Sequence, residues 1–182
     1  LKIASELKEY IDFLKSSDSR KMIGLWDVRM LEKIKENVES HKLARHILKL
    51  YDGSYYHHYH EFHINWEVEK FNIQCKSLLD RVCFDHVNKK IILIDLKTTQ
   101  NVYNFAHSVE EYDYYRQIAY YGLAIQWYMQ EILNLNSEEY DFETYIIAIG
   151  KDSNNEIRVF DMKDDTMLNN RIDLISDTLK RI

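Results

Sequence analysis

An aspartate and a lysine close the most apolar segment of the chain, "IILIDLKTT", residues 91–99. Side chains of a strand alternate between its two faces, so Asp95 and Lys97 would share a face. With a second carboxylate nearby, such a pair would hold Mg²⁺ or Mn²⁺, which prefer oxygen ligands. An ion of this kind polarises a phosphoryl oxygen and lowers the pKa of a bound water, and a lysine can orient that water. The pattern therefore favours hydrolysis of a phosphodiester.

The second carboxylate comes from the preceding segment, "SLLDRVCF", which contains Asp80. The sequence "HVNKK", residues 86–90, predicts a turn with Asn88 at its tip. A hairpin centred there places Asp80 opposite the region of Leu96, beside Asp95, whereas a slip of one residue would move Asp80 to the other face. Two carboxylates about 4 Å apart repel by roughly 4 kcal/mol at an effective dielectric constant near 20, so a cation between them would explain the arrangement. The alternative is a salt bridge at the strand end.

The elements that must position these residues follow from the periodicity of apolar side chains. Ile92, Ile94 and Leu96 form a wholly apolar face, which should pack beneath a helix. Ser40 is the expected N-cap of the helix that precedes the sheet, and "EEYD", residues 110–113, is the expected start of a long helix. Helices are predicted over 2–15, 19–38, 41–50, 110–135 and 164–181, and strands over 60–71, 73–84, 91–98, 140–150 and 155–162. This order predicts an α/β fold with a mixed sheet flanked by helices.

The composition fits a single globular domain of 182 residues, with 46% hydrophobic and 30% charged residues and no proline-rich or glycine-rich linker. We expect a helical N-terminal part over 1–50, a catalytic core over 58–162 and a C-terminal helix over 164–182. The net charge of −6 argues against a sequence-independent coat for nucleic acid, whose affinity depends on many basic contacts. A motif of the type G-x-x-x-x-G-K-[ST] is missing, which excludes an ATP-driven motor in this chain.

The sequence gives no sign of a membrane segment. Apolar runs stay below the roughly 18 residues that a transmembrane helix needs, and the first segment, "LKIASELKEYIDFLKSS", predicts an amphipathic helix rather than a signal peptide. Cys75 and Cys83 are too few for a disulfide framework or an iron–sulfur cluster. We therefore expect a cytoplasmic protein without a membrane partner.

The segments "LLDRVCFDHVNKKIILIDLKTT" and "YYRQIAYYGLA" resemble the PD-(D/E)xK nuclease superfamily, in its RecB-like and exonuclease VIII-like branch. The motif of that superfamily is an aspartate, a short hairpin and then (D/E)-x-K, matched by Asp80, Asp95 and Lys97. Gln117 and Tyr121 match the Q-x-x-x-Y that the branch adds on the following helix, where they share a face. The resemblance covers residues 41–162 and is strongest over 78–121, although a leucine replaces the proline of the family name.

The resemblance implies a restriction-endonuclease-like core and further ligands for Mg²⁺ or Mn²⁺. Relatives add a carboxylate from the first core strand to the two aspartates, and position favours Glu61, with Glu67 and Glu69 as the alternatives. Relatives also place a histidine on the helix before the sheet. His41 is favoured for that role over His46, and a solvated or capping histidine is the other interpretation of either.

The activity that the resemblance implies is divalent-metal-dependent hydrolysis of DNA, by a duplex-DNA exonuclease that acts in recombination or repair, often in phage. Asp80 and Asp95 would bind the metal, Lys97 would activate water, and Gln117 and Tyr121 would support the site. Relatives form rings around DNA and work with a single-strand annealing protein. An inactive DNA-binding or assembly module of the same fold, and a sequence-specific or structure-specific endonuclease, remain alternatives. Strand polarity, DNA or RNA preference and oligomeric state stay open.

Four histidines in "YYHHYHEFH", residues 55–63, raise the alternative of a zinc site. In a strand, His58 and His60 would share one face, while His57 and His63 would point to the other. An exposed edge strand is the favoured interpretation. The tyrosines around the long helix are expected to be packing residues, and Arg116 is expected either to meet a phosphate or to be solvated.

Overall fold

The computed structural model describes residues 23–49, 57–152 and 154–181. The chain divides into the units Leu1–Glu32 and Lys33–Ile182, and the second holds the candidate site. The predicted helix over 2–15 lies outside the described residues. The helices are α1 (Leu25–Ser40), α2 (Lys42–Lys49), α3 (Phe105–Glu111), α4 (Tyr114–Trp127) and α5 (Asp165–Leu179). The strands are β1 (His57–Val68), β2 (Ile73–Asp85), β3 (Lys90–Thr99), β4 (Asp141–Gly150) and β5 (Ile157–Asp161).

The strands form a five-stranded sheet in the order β1-β2-β3-β4-β5. Neighbouring strands are antiparallel except β3 and β4, which are parallel and joined by the helical segment that contains α3 and α4. A parallel pair needs a long crossover, which a helix normally supplies. The predicted mixed sheet is therefore confirmed.

Strand β3 separates two apolar layers. Leu93 belongs to one buried cluster with Ile118 of α4, and Ile94 belongs to another with Ala44 of α2. All four side chains are at most 1% exposed, and burial of an aliphatic side chain as large as leucine stabilises a fold by about 1.5–3 kcal/mol. The alternation predicted for this strand is thus confirmed in its apolar half. The prediction is wrong for Leu96, which is 48% exposed and does not belong to the buried cluster of Ile92 and Ile94.

Asp85 organises the turn between β2 and β3. Its Oδ1 accepts hydrogen bonds from the amides of Val87 and Asn88 at 3.1 and 2.9 Å, and its Oδ2 accepts one from the Asn88 side chain at 2.7 Å. Burial alone would raise the pKa of this carboxyl, but these donors outweigh burial and lower it. The turn fixes a register in which Asp85 pairs with Lys90. Continued along the hairpin, that register places position 80 opposite position 95.

The prediction of one long helix over 110–135 is wrong about where that helix begins. Residues 110–111 end α3, and α4 begins only at Tyr114. Between the two helices, Asp113 adopts a left-handed conformation with φ 50°. The Asp113 carboxylate accepts a hydrogen bond from Arg171 of α5 at 2.6 Å, a tertiary contact that local periodicity does not encode. At the other end, α4 continues through a π-helical turn, Tyr128–Ile132.

The predicted N-cap of α2 is wrong by one residue. Ser40 is the last residue of α1, and its hydroxyl donates to the Asn37 carbonyl at 2.9 Å. His41 is the cap, since its carbonyl accepts from the Arg45 amide and its Nδ1 accepts from the Ala44 amide at 3.1 Å. Among the described residues, helices that combine the length and apolar character of a membrane span are absent.

Candidate active site

The hairpin of β1 and β2 contains an irregularity where the candidate site begins. The ladder pairs His60 with Arg81 and Phe62 with Leu79, and it skips Glu61 and Asp80 between them. Glu61 has a left-handed backbone with φ 49°. One residue is left unpaired on each strand, so the register is the same on both sides of the interruption. Here the irregularity takes Asp80 out of the regular ladder.

Asp80 is held by the strand that carries Asp95. The ladder between β2 and β3 ends at the pair of Arg81 and Ile94. Beyond that pair, Asp80 Oδ2 accepts a hydrogen bond from the Leu96 amide at 2.7 Å. A bond between a carboxylate and an amide is stronger than one between neutral groups, so it fixes the position of Asp80. The structure therefore brings Asp80 to the end of β3, where the sequence placed it.

Asp95 and Lys97 form an ion pair at the C-terminal end of β3. The Asp95 side chain is only 3% exposed and the Lys97 side chain 20% exposed. Burial raises the pKa of the Asp95 carboxyl, the Lys97 ammonium opposes that rise, and the negative charge of Asp80 adds to it. The Leu96 amide that binds Asp80 directly follows Asp95 in the chain, so the two carboxylates are neighbours. The structure thus brings together Asp80, Asp95 and Lys97.

Helix α4 adds Gln117 and Tyr121, which are one helical turn apart. Gln117 Nε2 donates to Asp95 Oδ1 at 3.2 Å and to the Tyr121 hydroxyl at 2.8 Å. One amide group therefore uses both of its protons to connect the buried carboxylate with the tyrosine. Burial raises the pKa of Tyr121, the hydrogen bond from Gln117 opposes that rise, and the charge of Asp95 adds to it. The structure brings both predicted residues to the site as neighbours of the carboxylates.

Tyr114, which was predicted to be a packing residue, also belongs to the site. The Lys97 ammonium lies 5.2 Å from the centre of its ring, within the range of a cation–π contact. Tyr114 precedes Gln117 by three residues, and Tyr121 follows by four, so the three share one face of α4. That spacing was a signal in the sequence that the interpretation missed.

The three glutamates proposed for the first core strand lie at different levels of the hairpin. Glu61 stands opposite Asp80 in the register, at the skipped position. Glu67 pairs with Gln74 and accepts a hydrogen bond from it at 2.8 Å. Gln74 is six residues from Asp80 along β2, or about 20 Å at the rise of an extended strand. Glu69 lies in the turn beyond. Of the three, Glu61 is the one whose position in the register lies opposite Asp80.

The two candidate histidines lie apart from these residues. His41 caps α2 and lines a cavity with Glu156 and Arg158. Arg158 belongs to β5, which β4 separates from β3. His46 is exposed on α2. The structure therefore places neither histidine with Asp80 or Asp95.

The histidines of β1 do not gather around one point. The rings of His58 and His60 are 5.8 Å apart, whereas His57 contacts His86 at 5.3 Å. In the part of the chain that the structure describes, clusters of three or more histidine, cysteine or acidic side chains able to hold a metal are absent.

Asp80 and Asp95 nevertheless fit a divalent cation by their chemistry. Both offer carboxylate oxygens, the ligands that Mg²⁺ and Mn²⁺ prefer. Asp95 Oδ2 is buried, and its ionic partner is the Lys97 ammonium. A cation already lies against this oxygen in the form of an ammonium. The residues present therefore fit a metal held by Asp80 and Asp95.

The fold and the site define a nuclease-like α/β class, in which a mixed sheet presents an aspartate before a hairpin and a D-x-K motif after it. The family model of a PDDEXK-like domain of unknown function (DUF3799) matches residues 6–182. The chain therefore belongs to this family, and its predicted place in the PD-(D/E)xK superfamily is confirmed.

A solved structure supports the same fold. A candidate exonuclease from Eubacterium rectale superposes with a TM-score of 0.54 at 15% sequence identity. The match covers 82% of this chain and 51% of the other, so the chain spans about half the length of that protein. No curated protein matches the chain. The predicted restriction-endonuclease-like α/β fold is confirmed by these likenesses.

Proposed function

We propose that this chain is a divalent-metal-dependent deoxyribonuclease that hydrolyses phosphodiester bonds of duplex DNA from an end. The observation that carries the proposal is the position of two carboxylates and one ammonium at the end of β3. Asp80 is bound to the Leu96 amide there, and Asp95 is paired with Lys97. Membership of a PDDEXK-like family supports the same conclusion.

In the proposed mechanism, Asp80 and Asp95 would hold Mg²⁺ or Mn²⁺, with Glu61 as the candidate for a further ligand. When bound, such an ion supplies polarisation of a phosphoryl oxygen and a lowered pKa of water. Gln117 keeps the Asp95 carboxylate oriented through its bond to Oδ1. Tyr121 in turn fixes Gln117, which makes the tyrosine a positioning residue. Fixed carboxylates of this kind need no rearrangement when the substrate binds.

Lys97 has two tasks in this scheme. In the structure its ammonium compensates the buried Asp95 charge. With Asp95 serving as a metal ligand, the Lys97 ammonium would be available to donate to a phosphate oxygen or to orient the attacking water. Its contact with the Tyr114 ring holds the side chain at the strand end in either case. Lys97 is thus the proposed catalytic residue, since it would touch the reacting atoms.

The finer parts of the proposal rest on the resemblance described above. They are action on ends rather than internal sites, Mg²⁺ or Mn²⁺ as the ion, and a role in recombination of the kind found in phage. They also include a cytoplasmic location, a ring-shaped homo-oligomer and a single-strand annealing partner. The similar Eubacterium rectale protein is a candidate exonuclease, which favours action on ends.

A cleavage assay on matched substrates tests the proposal. Linear duplex DNA, covalently closed circular DNA and RNA are incubated with Mg²⁺, Mn²⁺ or EDTA. We expect cleavage of linear DNA with either metal and none with EDTA. Lys97→Ala should abolish it, whereas Lys180→Ala, an exposed lysine at the end of α5, should not. The proposal would be overturned if no DNA substrate were cleaved with either metal. Cleavage of circular DNA at the same rate as linear DNA would show that the enzyme is an endonuclease rather than an exonuclease.

A further inference from the structure

A cavity of about 310 Å³ adjoins the candidate active site on the side of α4. Its volume is at the lower end of the roughly 300–1,000 Å³ that small-ligand sites occupy. Gln117 and Tyr114 belong to its wall, and these two residues also contact Asp95 and Lys97 respectively. A ligand in the cavity would therefore be a direct neighbour of a phosphodiester held at the carboxylates.

Aromatic side chains form much of the wall. Tyr112 and Tyr114 have ring centres 5.9 Å apart with planes tilted by 43°. Tyr114 is held in place by a stacking contact with Phe105 at 5.7 Å. Tyr112 is 59% exposed, so a large part of its ring surface is open to a ligand. An open aromatic face beside a phosphodiester site suits a nucleobase, because every base can stack on it.

Arg116 provides a positive charge at the same cavity. The Asp113 carboxylate accepts its short hydrogen bond from Arg171, at 2.6 Å, whereas Arg116 Nε lies 3.8 Å from the other oxygen. Because Arg171 already compensates Asp113, the charge of Arg116 is in excess. The Arg116 side chain is 58% exposed, so its guanidinium can reach an external anion. Guanidinium groups bind phosphate oxygens through paired hydrogen bonds.

We infer that this cavity is a subsite for an unpaired nucleotide adjacent to the scissile phosphodiester. Its base stacks on Tyr112, and its phosphate meets Arg116. A base in a single-stranded or frayed end has its faces free for stacking, whereas a base inside a duplex does not, so the subsite favours DNA with such an end. The inference rests on the proposed nuclease function, because the neighbouring phosphodiester is the one that Asp80 and Asp95 would position.

Binding without catalysis tests the subsite directly. The probe is a fluorescein-labelled oligothymidylate of roughly 12 nucleotides, within the length that single-strand grooves cover, titrated in EDTA and followed by anisotropy. Tyr112→Ala should weaken binding about tenfold, the equivalent of about 1.4 kcal/mol of stacking. Tyr112→Phe keeps the aromatic face and should bind like the parent. Tyr112 is exposed, so neither substitution should disturb the core. Equal melting temperatures would show that both variants fold.

Salt dependence separates the phosphate contact from the stacking contact. Arg116→Ala should lower the slope of log affinity against log salt by about 0.7, the value for one contact to a single strand. Tyr112→Ala should leave the slope unchanged. Arg45→Ala removes an exposed charge on α2, across the sheet, and serves as the matched control that should alter neither quantity.

Cleavage then distinguishes failure of the subsite from failure of the nuclease. With Mn²⁺, the parent should cleave linear DNA with a short single-stranded end faster than blunt DNA, and Tyr112→Ala should lose that preference. If the parent cleaves DNA while Tyr112→Ala and Arg116→Ala bind the oligothymidylate as tightly as it does, the subsite is overturned and the nuclease stands. If the parent cleaves nothing but both variants bind weakly, the nuclease is overturned and a single-strand binding site remains.

Discussion

The carboxylate of Asp80 is bound to the backbone of the strand that carries Asp95, through the amide of Leu96 at 2.7 Å. A backbone donor is present whatever the neighbouring side chains are, so the position of Asp80 depends on the register of the hairpin rather than on other residues of the site. Side-chain substitutions around it should therefore change the charge of the site without moving this carboxylate.

Asp80→Asn tests the charge at this position. An asparagine oxygen can still accept from the Leu96 amide, so the melting temperature without metal should stay close to that of the parent. The gain in stability with Mn²⁺ should fall sharply, since a bound ligand stabilises by about 2.7 kcal/mol at 100 times its Kd and less when affinity drops. Thermal melts with a series of Mn²⁺ concentrations measure this. Asp173→Asn, an exposed aspartate of α5, is the control and should keep the full gain.

Lys97→Ala should abolish cleavage and also destabilise the protein. The substitution leaves the nearly buried Asp95 carboxylate without its cation, which costs about 1–3 kcal/mol when a buried group loses its partner. Mn²⁺ should restore more stability to this variant than to the parent, because the ammonium no longer competes for the carboxylate. A variant that retains cleavage would remove Lys97 from the mechanism.

The stability of Lys97→Ala should also depend on pH. Burial raises the pKa of Asp95, and loss of the ammonium that opposes this rise would raise it further. In the unfolded chain the Asp95 carboxyl ionises near pH 4, whereas in the folded protein it ionises at a higher pH. Between these two pH values, ionisation stabilises the unfolded chain relative to the folded protein. The deficit of Lys97→Ala relative to the parent should therefore grow as the pH rises above about 4. Urea denaturation in EDTA at several pH values measures it, and a deficit that does not change with pH would contradict the argument.

Gln117→Ala should reduce the rate of cleavage more than Tyr121→Phe does. The first change removes the donor to Asp95 Oδ1, whereas the second removes only the hydroxyl that orients that donor. Each loss of a hydrogen bond should cost about 1 kcal/mol of stability. Single-turnover rates at saturating DNA compare the two variants, and Gln126→Ala, on the same helix, is the control. A larger loss in Tyr121→Phe would mean that the hydroxyl contacts DNA itself.

Asp85→Asn should destabilise the hairpin that sets the register. The new amide faces the Asn88 side-chain donor, so about 2 kcal/mol should be lost at neutral pH. Since the pKa of Asp85 is lowered by folding, its stabilisation is complete above the unfolded value near 3.9 and disappears as the pH falls through the folded value. The difference from the parent should therefore shrink below about pH 4.

Val87→Ala is the matched control in that turn. Its side chain is 73% exposed and only its amide contacts Asp85, so its unfolding free energy should stay within about 0.5 kcal/mol of the parent. A difference between Asp85→Asn and the parent that persists unchanged in acid would contradict the role assigned to the charge.

The site near β3 was predictable from the sequence because its information is local. A four-residue turn at Asn88 and strict alternation along β3 determine the positions of Asp80, Asp95 and Lys97 within one hairpin. The faces of α4 follow equally from spacing, which placed Gln117 and Tyr121 together. Patterns of this kind determine which side chains lie together without reference to distant residues.

The errors arose where distant residues decide the outcome. The break before α4 depends on the pairing of Asp113 with Arg171 of α5, which is 58 residues away. His41 replaces Ser40 as the cap of α2 through ring geometry that propensity does not reveal. The role of Tyr114 depends on where the end of β3 meets α4. The contacts of Asp113 and His41 leave no periodic trace in the sequence, whereas Tyr114 was signalled only by its spacing from Gln117.

The skipped pair in the first hairpin has a consequence for the core. In a regular strand, inward-facing residues are two positions apart, yet the fully buried Leu79 and Val82 both belong to the same apolar cluster and are three apart. Across from them, Tyr59 and Phe62 show the same interval. The extra residue in this interval allows β2 to carry Asp80 between Leu79 and Val82 while both apolar side chains stay in the core. An ionisable group is thereby added to this sheet at no loss of hydrophobic contact.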